Sequence, residues 1–355
     1  MTADAVGGVW TYALELVDAL AEHGVGVTLA VMGGGLTDGQ RRQAAASAAE
    51  AVHESSFALE WMSDPWVEVD RAGRWLLDLA DQAQPDVVHL NGYVHAAMAW
   101  NAPTLVVAHS CVLSWWAAVM GERAPPALDE YRSRVSAGLA AAAAVVAPTA
   151  AMLAELRRWY GLDGGEVIPN CRRSDWVSEA TKEPFVLGAG RVWDDAKNLL
   201  ALDRAAARLD WPVVVAGERV HPQGGSPRLQ AAHATGTLPF DELAGLLGRA
   251  AVFALPARYE PFGLGPLEAA HSACALVLGD IPSLREVWED AATYVRPDDE
   301  DGLVRALDDL LGDPARAAAR GGDARRRATR YTPAATGAAY LDAYIRLRQP
   351  VARTS

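Results

Sequence analysis

Along the whole chain, short runs of β-branched and aliphatic residues ending in Gly, Pro or His alternate with longer stretches of helical periodicity. This alternation constrains the fold more than any other feature. It is the pattern of right-handed βαβ units, whose parallel strands lie buried beneath helices on both faces. In the first half the runs are Val27 to Met32, Asp86 to Leu90, Thr104 to His109 and Ala144 to Pro148. In the second they are Pro184 to Gly188, Pro212 to Gly217, Ala251 to Pro256, Ala275 to Gly279 and Thr293 to Arg296. Between them, Gly8 to Ala21 places Ala13, Leu14, Val17 and Leu20 at helical spacing, and Leu199 to Leu209, Asp241 to Arg249 and Leu303 to Leu311 behave likewise. The class is α/β.

A chain of 355 residues favours two domains at about 100–200 residues each. The segment Asp175 to Pro184 is polar and aperiodic, so the boundary and a hinge are expected there. The expected domains are 1–177 and 178–332. Thr332-Pro333 then pairs a capping residue with proline at a first helical position, opening a last helix to about Arg348 within 333–355. Two such halves would each offer ligand sites at the carboxyl ends of their strands, and a cleft between them.

Composition excludes several partners. Lys+Arg 32 against Asp+Glu 45 gives a net charge of −13, which disfavours nucleic acid and anionic membrane. Cys111, Cys171 and Cys274 follow no metal spacing, so free thiols in a reducing cytoplasm are expected. Asp4 stands where a signal peptide needs its basic and apolar segments. The uncharged stretch His89 to Gly121 is interrupted by Asn91, Asn101, Pro103 and His109, short of the ~20 apolar residues of a membrane span. A cytoplasmic protein without strong membrane association is expected.

The segment richest in chemistry runs from Leu255 to Ala270. A strand ends near Pro256, a glycine loop follows, and Pro266 is expected as the first residue of a helix. The amides of Phe262, Gly263, Leu264 and Gly265 would then sit at a helix N-terminus, where partial positive charge favours phosphate or sugar oxygens. Glu260 in the loop and Glu268 in the first turn bracket that position; ionised carboxylates accept hydrogen bonds from hydroxyl pairs. The residues also admit a plainer reading, with Glu268 complementing the helix dipole and Glu260 solvated.

Glu260-Pro-Phe-Gly-Leu-Gly-Pro-Leu-Glu268 resembles the E-x7-E motif of the retaining GT-B glycosyltransferases of family 4, and Gly279-Asp-Ile-Pro-Ser-Leu-Arg-Glu286 resembles the segment that follows it. The resemblance implies two Rossmann-like domains with parallel sheets facing across a cleft. It also implies a donor-sugar contact for Glu260, diphosphate and sugar contacts for the amides of Phe262, Gly263 and Leu264, and a ribose contact for Glu268. Gly188-Ala-Gly-Arg-Val-Trp-Asp-Asp-Ala-Lys-Asn198 is similar to the family's basic pair, with Arg191 and Lys197 flanking a helix start. Two cations there would stabilise a leaving diphosphate.

Toward the amino end, Asp4-Ala-Val-Gly-Gly-Val-Trp-Thr-Tyr12 resembles the family's glycine loop, whose Gly8 position approaches the donor phosphate and the acceptor, with Gly7 a candidate on the acceptor side. Only Met1 to Ala5 precede that loop, so its strand is either very short or incomplete in this sequence. His109 ends the run Thr104 to His109, where the family places a polar residue facing the donor sugar; a structural role is the alternative. Tyr93, Trp115 and Trp116 are candidates for an acceptor-side aromatic platform, with core packing expected for at least one. Val145 to Thr149 and Val167 to Asn170 are similar to further family segments, with Cys171 where glycine is common. Arg325, Arg326 and Arg327 read as a solvated helix face.

The implied activity is transfer of a hexose-type sugar from a nucleotide-diphosphate donor to a soluble acceptor, with retention of anomeric configuration. No metal and no cofactor beyond the nucleotide-sugar co-substrate is expected, since Arg191, Lys197 and helix amides can offset the diphosphate charge. The final helix would return to the first domain. The alternatives are a sugar-nucleotide epimerase or phosphorylase-like enzyme on the same architecture, and a non-catalytic sugar-nucleotide-binding partner subunit.

Overall fold

The computed structural model describes residues 1–177, 180–220 and 225–349. Ser178 and Glu179, and with them the expected start of the second domain, lie outside the described residues. The chain forms two compact units, one of Met1–Trp116, Glu122–Cys171 and Thr332–Ser355, the other of Ala117–Gly121 and Arg172–Tyr331.

In the first unit the strands are β1 (Thr2–Asp4), β2 (Thr28–Met32), β3 (Ala51–Glu54), β4 (Val88–Leu90), β5 (Thr104–Val107), β6 (Ala144–Ala147) and β7 (Glu166–Val167). They pair in parallel as two ladders, β1-β2-β3 and β4-β5-β6-β7. The strand before the glycine loop is thus present, three residues long and in register with Ala30 to Met32. β3, β7 and β1 carry no long apolar run, which is why periodicity passes over them. The two ladders meet where Asn91, just past β4, donates its amide N–H to Thr2 Oγ1 at 2.8 Å. The last helix, Pro333–Arg348, starts on a Thr332 cap and packs against the first helix, Gly8–Ala21. Gly337 permits that approach, because a Cβ there would lie 3.0 Å from the Cβ of Ala19.

Among the described residues the second unit holds a six-stranded parallel sheet of β8 (Glu183–Ala189), β9 (Val213–Ala216), β10 (His233–Gly236), β11 (Ala250–Leu255), β12 (Ala275–Gly279) and β13 (Thr293–Val295). Its spatial order is β10-β9-β8-β11-β12-β13. In both units the chain builds outward from its first strand, then reverses and builds the other way. Such a reversal leaves a crevice at the carboxyl ends of the two strands beside it. Those strands are β1 and β4 in one unit and β8 and β11 in the other.

The arginine cluster departs from its expected role. Arg326 is solvated, with its side chain 75% exposed, but that of Arg327 is only 12% exposed and pairs with Glu289 at 2.8 Å. Arg327 Nε also donates to the carbonyl of Val287, so this arginine ties the helix Pro314–Ala328 to the end of Pro282–Trp288. Helical spacing turns one of three consecutive residues inward. The three cysteines are buried and not joined in disulfides. Among the described residues no helix is long and apolar enough to cross a membrane.

At the reversal of the first unit two carboxyls lie close together. Glu60 accepts the amides of Tyr93 at 3.1 Å and of Val94 at 3.1 Å. Burial nonetheless pushes its carboxyl up to about 7. Asp4, at the end of β1, is pushed up to about 8 by burial and by the charge of Glu60.

Two outcomes are expected. A Cβ on Gly217, whose φ is 141°, would lie 1.8 Å from the carbonyl oxygen of Gly190. Gly217→Ala should therefore cost at least about 2 kcal/mol in urea unfolding, from overpacking and backbone strain together; an unchanged midpoint would refute the close approach of these two strand ends. For Asp4, a folded pKa above the unfolded one means stability that is full below pH 3.8 and is lost as pH rises toward about 8. The slope approaches about 1.4 kcal/mol per pH unit for one proton. Asp4→Asn removes that loss, so its melting temperature should gain on wild type steadily between those limits; parallel curves would show that Asp4 ionises normally.

Candidate active site

The strand-order reversal of the second unit assembles most of the expected donor-site residues. Arg191 and Lys197 follow β8, whereas Glu260 and the glycine loop follow β11. Lys197 Nζ donates to Glu260 Oε2 at 2.5 Å, with side-chain exposures of 18% and 13%. Arg191 Nη2 donates at 2.7 Å to Asp194, a carboxylate only 4% exposed. Its guanidinium lies 5.1 Å from the centre of the Trp193 ring, and its Nε is buried without a partner among the described residues. The Arg191 side chain keeps 34% of its surface open. Both cations are thus held in place beside a switch point, with Arg191 part-open to an anion.

The loops carrying these groups are laced together by residues whose role spacing does not reveal. Asn198 caps the helix Leu199–Ala206 in the left-handed region, at φ 55°. Its Nδ2 donates to the carbonyls of Pro256 at 2.9 Å and Pro297 at 2.7 Å, joining the ends of β8, β11 and β13. The amide of Arg258 donates to the carbonyl of Ala196 at 2.8 Å. Ser283 Oγ donates to the backbone carbonyl of Glu260 at 2.5 Å. The segment from Gly279 to Glu286 therefore supports Glu260, and Gly279 itself is required because a Cβ there would lie 2.1 Å from the carbonyl oxygen of Ala257. Asparagine's tolerance of left-handed backbone was the one sequence signal for Asn198.

The helix after the glycine loop begins earlier than expected. It spans Leu264–His271, capped by Gly263 at φ 96°, so Pro266 is its third residue and not its first. Glu268 consequently falls in the second turn and not the first. Proline is tolerated at the third position because the N–H it lacks would have no partner inside the helix. The amides of Leu264 and Gly265 remain the orphan donors of this N-terminus. Phe262 is 2% exposed, with its ring edge-on to Tyr331 at 5.4 Å, and anchors the loop in the core. Glu268 Oε1 accepts from Arg172 Nε at 2.8 Å, both side chains being 12% exposed, and the Arg172 guanidinium lies 4.5 Å from the centre of the Phe240 ring. Neither glutamate is a solvated surface residue.

The first unit holds the remaining candidates. Gly7 caps the first helix at φ 79°, Gly8 is that helix's first residue, and both are exposed. β5 ends at Val107, so His109 stands two residues beyond the strand. His109 Nε2 lies 2.9 Å from Asn91 Oδ1, its ring packs edge-on to Tyr12 at 4.3 Å, and burial drives its pKa down to about 3. Tyr93 is 3% exposed and donates its hydroxyl to the Ser110 carbonyl at 2.8 Å, which places its ring in the core and not on an open face. Trp115 and Trp116 are half-buried, with ring centres 6.4 Å apart and planes 58° off parallel, so they do not form a flat platform. Among the described residues no group of three or more His, Cys, Asp or Glu is placed to hold a metal ion.

Comparison with known proteins places this geometry. Residues 6–174 match Glycosyltransferase Family 4, and residues 183–313 match Glycosyl transferases group 1. A glycogen synthase of Mycobacterium tuberculosis is 40% identical over 132 residues, covering 35% of this chain and 32% of the relative. An O-antigen chain mannosyltransferase of Salmonella typhimurium is 27% identical over 173 residues, 44% of this chain and 47% of the relative. The matched stretches thus span about a third to a half of these curated relatives. Among solved structures, a sucrose-phosphate synthase from Thermosynechococcus elongatus superposes with a TM-score of 0.81 at 20% identity, covering 98% of this chain and 94% of the other. The Anabaena protein HepE, in complex with UDP and glucose, gives 0.74 at 13% identity, covering 98% and 100%. Two successive segments of the chain thus match glycosyltransferase family models, and the fold is that of the GT-B glycosyltransferases.

Proposed function

We propose that the protein transfers a hexose-type sugar from a nucleotide-diphosphate donor to a soluble acceptor, with retention and without a metal ion. The observation that carries this reading is the convergence of Arg191, Lys197, Glu260 and the orphan amides of Leu264 and Gly265 at the strand-order reversal of the second unit. Pre-placed cations and amides suit a diphosphate, whose charge grows as the glycosidic bond to the sugar breaks. Glu260 then takes the sugar, with Phe262, Gly263 and Leu264 forming the loop around it, and Glu268 takes the ribose hydroxyls. In the first unit, Gly7 is the candidate for the acceptor, Gly8 for a phosphate and His109 for a sugar hydroxyl. HepE was crystallised with UDP and glucose, which supports a nucleotide sugar as ligand class. Leaving-group departure on the face from which the acceptor hydroxyl attacks, through an oxocarbenium-like state, accounts for retention without a carboxylate nucleophile.

Calorimetry with ADP, GDP and UDP tests the donor site. Lys197→Ala should weaken the diphosphate that binds wild type best by roughly 1.5–3 kcal/mol, the range for a hydrogen bond to a charged group; unchanged affinity would move the phosphates elsewhere. Glu268→Ala should lose discrimination between that diphosphate and its 2′-deoxy form. Turnover should survive excess EDTA, and loss restored by manganese or magnesium would refute metal independence.

A further inference from the structure

Beside the strand-order reversal of the first unit, a buried chain of polar groups ends at His109. Asn91 sits at its centre. Its Nδ2 lies 2.6 Å from the backbone carbonyl oxygen of Thr2, an atom that can only accept. The opposite amide orientation would press two oxygens together, so Oδ1 must face the other way. There it meets His89 Nε2 at 3.1 Å and His109 Nε2 at 2.9 Å. A carbonyl oxygen has no hydrogen to give, so each imidazole must supply the proton through Nε2. The chain closes consistently at its far end: His89 Nδ1 is left with a lone pair, and the Tyr344 hydroxyl, 2.6 Å away, donates to it.

His109 has no such neighbour at Nδ1 among the described residues, and it is half-buried where His89, Asn91 and Tyr344 are buried. Edge-on packing against Tyr12 fixes the plane of its ring. We propose that Asn91 is a positioning residue that locks His109 as its Nε2–H tautomer, so that Nδ1 serves as a hydrogen-bond acceptor for a sugar hydroxyl. Burial also depresses both histidines, which keeps the imidazoles neutral and the lone pair available. The polarity is specific. A lone pair accepts from an O–H and repels a phosphate or carboxylate oxygen, so His109 belongs with the sugar and not with the diphosphate. The hydroxyl has two possible sources, the sugar of the donor or an acceptor saccharide. The sugar contact rests on the proposed glycosyl transfer, whereas the tautomer does not.

Long-range proton–nitrogen NMR on the full chain, labelled at histidine, reads the tautomer directly, with His109 assigned by the signal lost in His109→Gln. The expected spectrum of the free protein shows His89 and His109 both protonated at Nε2. A proton on His109 Nδ1 would overturn the inference whatever the activity. Asn91→Leu should populate both tautomers at His109; an unchanged tautomer in that folded variant would show that Asn91 does not set it, and the wild-type spectrum still decides if the variant fails to fold. UDP-glucose, ADP-glucose or GDP-mannose should then shift the His109 Nδ1 resonance upfield, while UDP, ADP and GDP leave it in place. A shift with free glucose or mannose alone assigns the acceptor as the source. Binding of a sugar nucleotide that is lost in Lys197→Ala, with no ligand moving Nδ1, would overturn the sugar contact and leave the donor site standing. If no nucleotide or sugar binds wild type, the sugar contact falls together with the functional reading.

Discussion

The geometry of the candidate site depends on one reversal of strand order. Lys197 and Glu260 are 63 residues apart in sequence, yet their ion pair forms because β8 and β11 are neighbours in a sheet that has first grown away through β9 and β10. Had the chain continued in one direction, the loops after those strands would lie on opposite sides of others. The close approach of neighbouring strand ends explains the glycines. Gly217 meets the carbonyl of Gly190 and Gly279 that of Ala257, at distances no side chain would permit, so the strand ends converge tightly enough for Asn198 to bridge three of them.

That frame is charged, and each ionic group in it already has a partner: Lys197 with Glu260, Arg191 with Asp194, Arg172 with Glu268. An unpaired charge at such exposures would be strongly destabilising, whereas a paired one is tolerated. On the proposed function, ligand binding on this frame is an exchange of partners and not the filling of an empty charge. A diphosphate that draws Lys197 away from Glu260 releases that carboxylate for hydroxyl groups. The cation and the carboxylate thus restrain one another until both have a ligand, which favours a ligand carrying phosphate and sugar together.

Much of this was legible in the sequence. The long apolar runs gave the buried strands within a residue or two, because a strand covered on both faces has nowhere to put a polar side chain. The first helix was read to its ends, Gly8 and Ala21, for the complementary reason that its buried positions recur at helical spacing. Edge and terminal strands such as β3 and β7, four and two residues long with polar members, lack both signals. At the site, the residue types and their spacing named the groups but not their neighbours. Pairing of Glu268 with Arg172 bridges 96 positions, and support of Glu260 by Ser283 bridges 23. Local periodicity carries no trace of such contacts. The glycine-loop helix starts before the position its sequence suggests, because Pro266 has the character of a first residue and only the left-handed Gly263 reveals the earlier start.

The two units share a strand plan but fill it with opposite chemistry. After the strands that flank its reversal, the second unit presents cations and amide donors. In the same places the first unit presents Asp4, Asn91 and, one strand further, His109, with Glu60 beside them. Burial raises the two carboxyls and lowers the imidazole, so all three tend toward neutrality. The same topology thus carries ion pairs and amide donors in one unit and groups that tend toward neutrality in the other, and the difference lies in the few residues that follow the strands on either side of each reversal.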